Sequence, residues 1–247
     1  MGRSCRARPR GRKIRVVNNV KEWSVADEVG LAAQTIARKT TRTGEANAER
    51  ILDAALEVFA AYGYRGARID QIAEAAGLSK PNLLYYFRTK EELYTAVLRR
   101  TLDMWLEPLR ELDTTSDPKA ALTAYISRKL GYSRSQPTAS RLFAMEMLQG
   151  APHLSAALGG TLLELVEIKS RIIEDWISEG RLRPIDPKHF IFAIWATTQH
   201  YADFGTQIRA LTGAGIEDEA FYEKTRAALT SILLEGVLPS EGGSQKR

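Results

Sequence analysis

Two groups of residues have types and spacings suited to recognition chemistry. The first lies in residues 69–87, IDQIAEAAGLSKPNLLYYF. Ala73 is small where two helices would cross closely, and Gly77 admits a left-handed turn residue. Ile72, Leu78 and Leu83 are placed to hold such a pair together. Ser79 can cap the second helix, and Pro81 fits its first turn. This is the patterning of a helix-turn-helix. It leaves Lys80, Asn82, Tyr85 and Tyr86 with polar ends that can face outward. The second helix of such a motif presents its N-terminal residues to base edges in the DNA major groove, where Asn can pair with adenine and Lys can reach guanine or phosphate. A plain helix hairpin with a packed tyrosine pair would share some of these features. The amphipathic segment before it and the capped one after it favour the DNA reading. The second group is Trp195 and Gln199, four apart on an expected helix and therefore on one face, with Phe192 just before them. An amide beside an indole suits a small planar ring bearing C=O and N–H groups, because Gln both accepts and donates while the indole stacks. Trp105 could supply another wall. The competing reading makes both tryptophans core and Gln199 a satisfied amide.

Composition narrows the alternatives. The chain has 247 residues, 44% hydrophobic and 26% charged, which is ordinary for a globular protein. No apolar run approaches the roughly 20 residues that cross a bilayer, so no membrane partner is expected. The single cysteine, Cys5, cannot form an internal disulfide, which points to a reducing, cytoplasmic location. The three histidines and one cysteine have no metal-ligand spacing, so neither metal nor cofactor is expected. There is no nucleophile elbow or phosphate loop, and His200 and Asp203 are spaced like an ordinary helix surface pair. An enzyme is therefore not expected. The formal charge of +5 is unevenly placed. Residues 1–43 hold 11 Lys/Arg and 3 Asp/Glu, against 24 and 27 in the rest. The basic excess thus belongs to an arm and says little about the body. The arm lacks the apolar core of a secretory signal. It reads as a disordered extension, with a phosphate-following or minor-groove arm or an organelle transit peptide as alternatives.

The elements that must position these groups all read as helices, about nine in an all-α fold. The first runs from about 44 to Gly63 with Ile51, Leu52, Ala55, Val58, Phe59 and Tyr62 on one face. Short helices follow over about 69–76 and 80–87. Thr89-Lys90-Glu91-Glu92 matches a capping box that opens a long helix to about 112. Further helices are expected over about 118–136, 139–149, 162–177, 186–204 and 218–234, with a loop from Gly205 to Gly215. The domains expected are the basic arm 1–43, a DNA-binding domain 44–98, a ligand-binding and dimerisation domain 99–238, and a flexible tail 239–247.

The order IAEAAGLSKPNLLYYF, closed by Lys90-Glu91-Glu92-Leu93, resembles the DNA-binding domain of the TetR family of bacterial transcriptional regulators. The chain departs from that family at Pro81, where many members carry Gly, and at Arg68, where Ser or Thr often caps. The resemblance implies that Arg68, Ser79, Lys80, Asn82, Tyr85, Tyr86 and Lys90 face DNA, with Tyr86 and Lys90 mainly on phosphates. Residues 80–87, 140–148, 184–187 and 194–204 further resemble the pyrimidine-utilisation (Rut-type) regulators of the family. That implies uracil or a related pyrimidine as effector. Trp105, Trp195 and Gln199 are then the leading ligand residues, with Lys129, Glu146, His200 and Asp203 behind them. It also implies a homodimer, paired through the last two long helices, that reads a near-palindromic double-stranded operator. The helix carrying both Lys90 and Trp105 would link DNA to effector. Within the same family, the rival is an unrelated apolar effector, a drug or an acyl compound, held in a larger apolar pocket. An architectural DNA binder without effector fits the long second domain poorly.

Overall fold

In the computed structural model, residues 42–239 are described. Most of the expected basic arm and nearly all of the expected tail therefore lie outside the described residues. Two compact units divide the chain, 1–45 and 46–247; of the first, only the opening turn of a helix is described. The described residues form helices and no strand. None of these helices is long and apolar enough to cross a membrane. In chain order they are α1 (Arg42–Gly66), α2 (Ile69–Ala75), α3 (Lys80–Tyr86), α4 (Lys90–Arg110), α5 (Pro118–Ser135) and α6 (Pro137–Leu148). A short turn (Ser155–Ala157) and a π-helical turn (Leu158–Leu162) then lead into α7 (Leu163–Ser178). The last three are α8 (Pro187–Asp203), α9 (Gly205–Thr212) and α10 (Glu219–Leu234).

Capping residues set most of these boundaries. Asp117, Asp186 and Asp218 each accept from the backbone N–H three residues on, at 2.8, 2.9 and 2.8 Å. Thr89 Oγ1 accepts from Glu92 N at 3.0 Å. The other half of the expected capping box is displaced by one residue, since the Glu92 carboxylate accepts from Arg88 N at 2.9 Å. Gly63 leaves helical torsions (φ 66°, ψ 172°), so the expected stop there is a kink followed by one more turn. The expected loop 205–215 is corrected: it contains α9. Gly205 marks only a bend after Phe204. The glycine that ends this helix is Gly213, left-handed at φ 73°, whose N–H returns to Arg209 O.

Two apolar cores are built from these faces. Ile51, Phe59, Ile72, Leu83, Leu93 and Val97 form the centre of the first, joined by Leu142 and Leu154. Leu122, Ile126, Ile173, Trp176, Ile194 and Leu229 form the centre of the second. Helix α4 runs from one to the other, placing Leu93 in the first and Leu109 in the second. Its C-terminal carbonyls are held by the buried Lys169, whose ammonium donates to Arg110 O and Leu112 O at 2.7 Å each.

Candidate nucleic-acid interface and effector pocket

The turn between α2 and α3 is held from behind. Gly77 sits at φ +64°, and Leu78 N donates to Ala73 O at 2.9 Å. Arg50 of α1 donates to Ala76 O at 2.6 Å and so caps the end of α2. Helix α3 starts at Ser79, whose Oγ accepts from Asn82 N at 3.4 Å. Only Leu83 of α3 is fully buried. Arg68, Ser79, Lys80, Asn82 and Tyr85 are exposed, Tyr85 at 82%. Tyr86 is half-buried, stands edge-on to Tyr85, and accepts from Asn47 Nδ2 at 3.3 Å. Lys80 is paired with the exposed Asp70 at 3.2 Å, a contact that a phosphate could displace at little cost. Lys90 turns inward: its ammonium donates to Ala67 O (3.1 Å) and Arg65 O (3.4 Å) and lies 4.8 Å from the Tyr64 ring centre.

A cavity of about 830 Å³ lies among α4, α5, α6, the π-helical turn and α8. It is mostly apolar with a few converging polar groups, the usual character of a ligand site. Leu102, Trp105 and Leu106 come from α4, and Phe143, Ala144, Met145, Met147 and Leu148 from α6. Leu158 and Leu162 come from the π-helical turn. The polar wall is Lys129 of α5, Arg141 of α6, and Gln199, His200 and Asp203 of α8, beside Trp195. The structure thus brings together Trp105, Lys129, Trp195, Gln199, His200 and Asp203. It does not bring Glu146 to them; that carboxylate is bonded to Tyr94 and His153 instead. Phe192 is half-exposed and touches Trp195 from outside the cavity.

Several polar groups here have no partner. Lys129 is 2% exposed, and its ammonium lies 3.8 Å from the Trp105 ring centre. It makes no hydrogen bond among the described residues, and burial holds its pKa well below the usual lysine range, against the pull of Asp203. Trp105 Nε1 is buried and unsatisfied. The Gln199 amide likewise makes no hydrogen bond among the described residues. Asp203 differs: Ser140 Oγ donates to it at 2.6 Å, yet burial still raises its carboxyl above the ordinary range. Trp195 Nε1 is committed to Tyr125 Oη at 2.6 Å, leaving its ring face for the cavity. His200 stacks on Phe204 at 4.9 Å.

The model of the "Bacterial regulatory proteins, tetR family" matches residues 51–97, and that of the "YcdC-like protein, C-terminal region" matches residues 98–240. The chain belongs to the TetR family. It is 51% identical over 201 residues to the HTH-type transcriptional regulator RutR of Escherichia coli K12, covering 81% of this chain and 95% of that one. The transcriptional activator FasR of Mycolicibacterium smegmatis is 45% identical over 78 residues, 31% of this chain and 36% of that one. Among solved structures, the ketosteroid transcriptional regulator KstR2 of Mycobacterium tuberculosis superposes with a TM-score of 0.62 at 20% identity, covering 78% of this chain and 95% of that one. A putative regulator from Streptomyces coelicolor gives 0.56 at 30% identity, covering 75% and 94%. This TetR-family chain is a transcriptional regulator and not an enzyme.

Sequence reasoning missed three kinds of residue in this regulator. Arg50 supports the turn from another helix, and a lone Arg on an amphipathic face carries no signal of that. Tyr125 fixes the Trp195 ring from 70 residues away. The apolar lining from Phe143 to Leu162 carried no signal of a cavity, because an apolar residue facing a cavity has the same sequence pattern as one facing a neighbour.

Proposed function

We propose that this regulator works in the cytoplasm as a homodimer that binds a near-palindromic operator and changes its DNA affinity when uracil or a related pyrimidine occupies the α4–α8 cavity. The observation that carries the effector is the pair of cavity-lining polar side chains that make no hydrogen bond among the described residues, the Lys129 ammonium and the Gln199 amide. A pyrimidinedione offers alternating carbonyl acceptors and N–H donors. The ammonium can only donate and the amide does both, so the ring satisfies both while stacking on an indole face. The 51% identical relative named RutR supports the same reading.

On the DNA side, Arg68, Ser79, Lys80, Asn82 and Tyr85 face the operator, with Asn82 on base edges and Lys80 and Tyr86 on phosphate. Lys90 acts mainly from beneath, by tying α4 to the strand of backbone before α2. Residues 44–98 form the reading domain and 99–238 the effector and dimerisation domain. The second copy covers α8 and α10, where Phe192 and Ile232 are exposed.

A second reading has its own support. Phe143, Met147, Leu148, Leu158 and Leu162 give the cavity a broad apolar lining, and eight ring and carbonyl atoms do not fill about 830 Å³. An acyl compound or apolar drug would use that lining. One solved relative of the same fold is a complex with stearoyl-CoA. Calorimetric titration with uracil, thymine, cytosine and a medium-chain acyl compound separates the two. Uracil and thymine binding with cytosine rejected supports the pyrimidine reading. Binding of the acyl compound alone replaces it.

A further inference from the structure

Glu146 is the one acidic side chain fully buried among the described residues, at 1% exposure, and it does not face the cavity. It accepts from Tyr94 Oη at 3.2 Å, from the His153 backbone N–H at 2.7 Å, and from His153 Nδ1 at 3.2 Å. The His153 ring packs against Tyr64 and Tyr94, centres 4.7 and 4.9 Å apart. Tyr64 in turn carries the Lys90 ammonium, which holds the backbone carbonyls of Arg65 and Ala67 just before α2. A continuous polar and aromatic chain therefore runs from α6 to the floor of the reading head.

The loop that delivers His153 is strained. Gly150 (φ 87°) and Ala151 (φ 54°) are both left-handed, and Ala151 is the one non-glycine residue so placed among the described residues. It is buried, with its N–H on Glu146 O at 2.9 Å. Backbone in this region persists where the surroundings over-determine it, and it concentrates at sites that do something. Cavity-lining residues bracket this loop on both sides. Met145 and Met147 flank Glu146, and the chain after His153 leads directly to Leu158 and Leu162. A ligand that repacks α6 or the π-helical turn displaces the anchors of Glu146 and His153 together.

We propose that Glu146, His153 and Tyr94 are positioning residues that transmit occupancy of the cavity to the reading head, by holding α6 to the start of α4 and the end of α1 in one of two arrangements. They touch neither effector nor DNA. The choice of uracil as probe rests on the pyrimidine reading; the coupling path does not. Coupling of this kind is a difference in affinity between two states, and its loss leaves each binding site intact.

The test compares the full-length protein with H153F, which keeps the ring contacts but loses Nδ1, and with E146Q, which keeps the shape. Uracil affinity is measured by calorimetry, and operator affinity with and without saturating uracil. The expected uracil affinity stays within about threefold of wild type, while the uracil-induced change in operator affinity, of the order of 5- to 150-fold in coupled regulators, falls toward one. A merely structural role would lower the melting temperature and the active fraction but leave that ratio alone. The same ratio as wild type in both variants overturns the proposal. If uracil does not bind the wild type, the effector reading fails by itself. The coupling path is then tested with the medium-chain acyl compound as probe: an operator-affinity ratio that falls toward one in H153F and E146Q upholds it, and a ratio equal to wild type in both overturns it.

Discussion

Replacing Lys129 by Met should strengthen the fold and weaken the effector site at once. The two side chains have similar length and shape, so the packing of the stem is kept. Lys129 is 2% exposed and its ammonium makes no hydrogen bond among the described residues; it lies 3.8 Å from the Trp105 ring centre and feels the charge of Asp203. Removing an unsatisfied buried polar group relieves about 1–3 kcal/mol, and the lost cation–π contact costs about 0.5–2 kcal/mol. The net is a gain of about 1 kcal/mol, or about 2–4 °C in melting temperature for a chain of this size. The effector loses a charge-assisted hydrogen bond of about 1.5–3 kcal/mol, so uracil should bind roughly 10- to 150-fold more weakly. The gain in stability also has a pH signature. Burial holds the folded pKa below the usual value near 10.5. Between the two values the unfolded chain carries the extra proton, so this group makes wild-type stability rise with pH across that window. The advantage of K129M is therefore fully present below the folded pKa and vanishes as pH approaches 10.5. Thermal melts at a series of pH values, with calorimetry at neutral pH, check all three parts. A K129M protein that melts lower than wild type at neutral pH, or binds uracil equally well, would refute the assignment of Lys129 as an unsatisfied donor awaiting a ligand.

Three further outcomes are expected. Gln199→Leu should leave the melting temperature unchanged, because the amide is bonded to nothing among the described residues, yet weaken uracil by about 1–3 kcal/mol through two lost hydrogen bonds; a calorimetric affinity equal to wild type counts against it. Asn82→Ala should cost about 1–3 kcal/mol on the cognate operator and little on unrelated DNA, whereas Lys80→Ala removes a phosphate contact and should weaken both alike and lower the slope of log affinity against log salt by about one. Gel-shift or anisotropy titrations over several salt concentrations distinguish these patterns, and equal losses on both DNAs for Asn82→Ala would remove it from base readout. Gly77→Ala should destabilise by about 1–2 kcal/mol, since a left-handed L-residue is strained and the new Cβ would sit 3.0 Å from the Arg50 guanidinium that caps α2. Urea unfolding reads this as a lower midpoint at unchanged slope, and an unshifted midpoint would mean the turn can relax.

Local signals were legible because their physics is local. Asp117, Asp186 and Asp218 satisfy N–H groups three residues away, so the starts of α5, α8 and α10 could be placed from sequence. Helix α9 was not, because Gly205 looks like a terminator, while the residue that does end the helix, Gly213, lies eight further on. The fates of Lys90 and Glu146 were equally hidden. Each is a charged residue on an amphipathic helix, and nothing nearby in sequence says whether it faces solvent, ligand or another helix.

The amino-acid sequence by itself determined the all-helical architecture, the helix-turn-helix and its outward residues, and the Trp195–Gln199 face. Each of these depends on spacings of four residues or fewer, which a helix converts directly into a shared side. Tertiary structure alone decided that Trp105, Lys129 and Gln199, drawn from three helices, converge with their polar groups unpartnered in one cavity. It alone decided that Glu146 turns away to meet Tyr94, 52 residues earlier in the chain. Which partner a side chain meets across such separations is set by how whole helices pack, and helix packing is a property of the assembled cores.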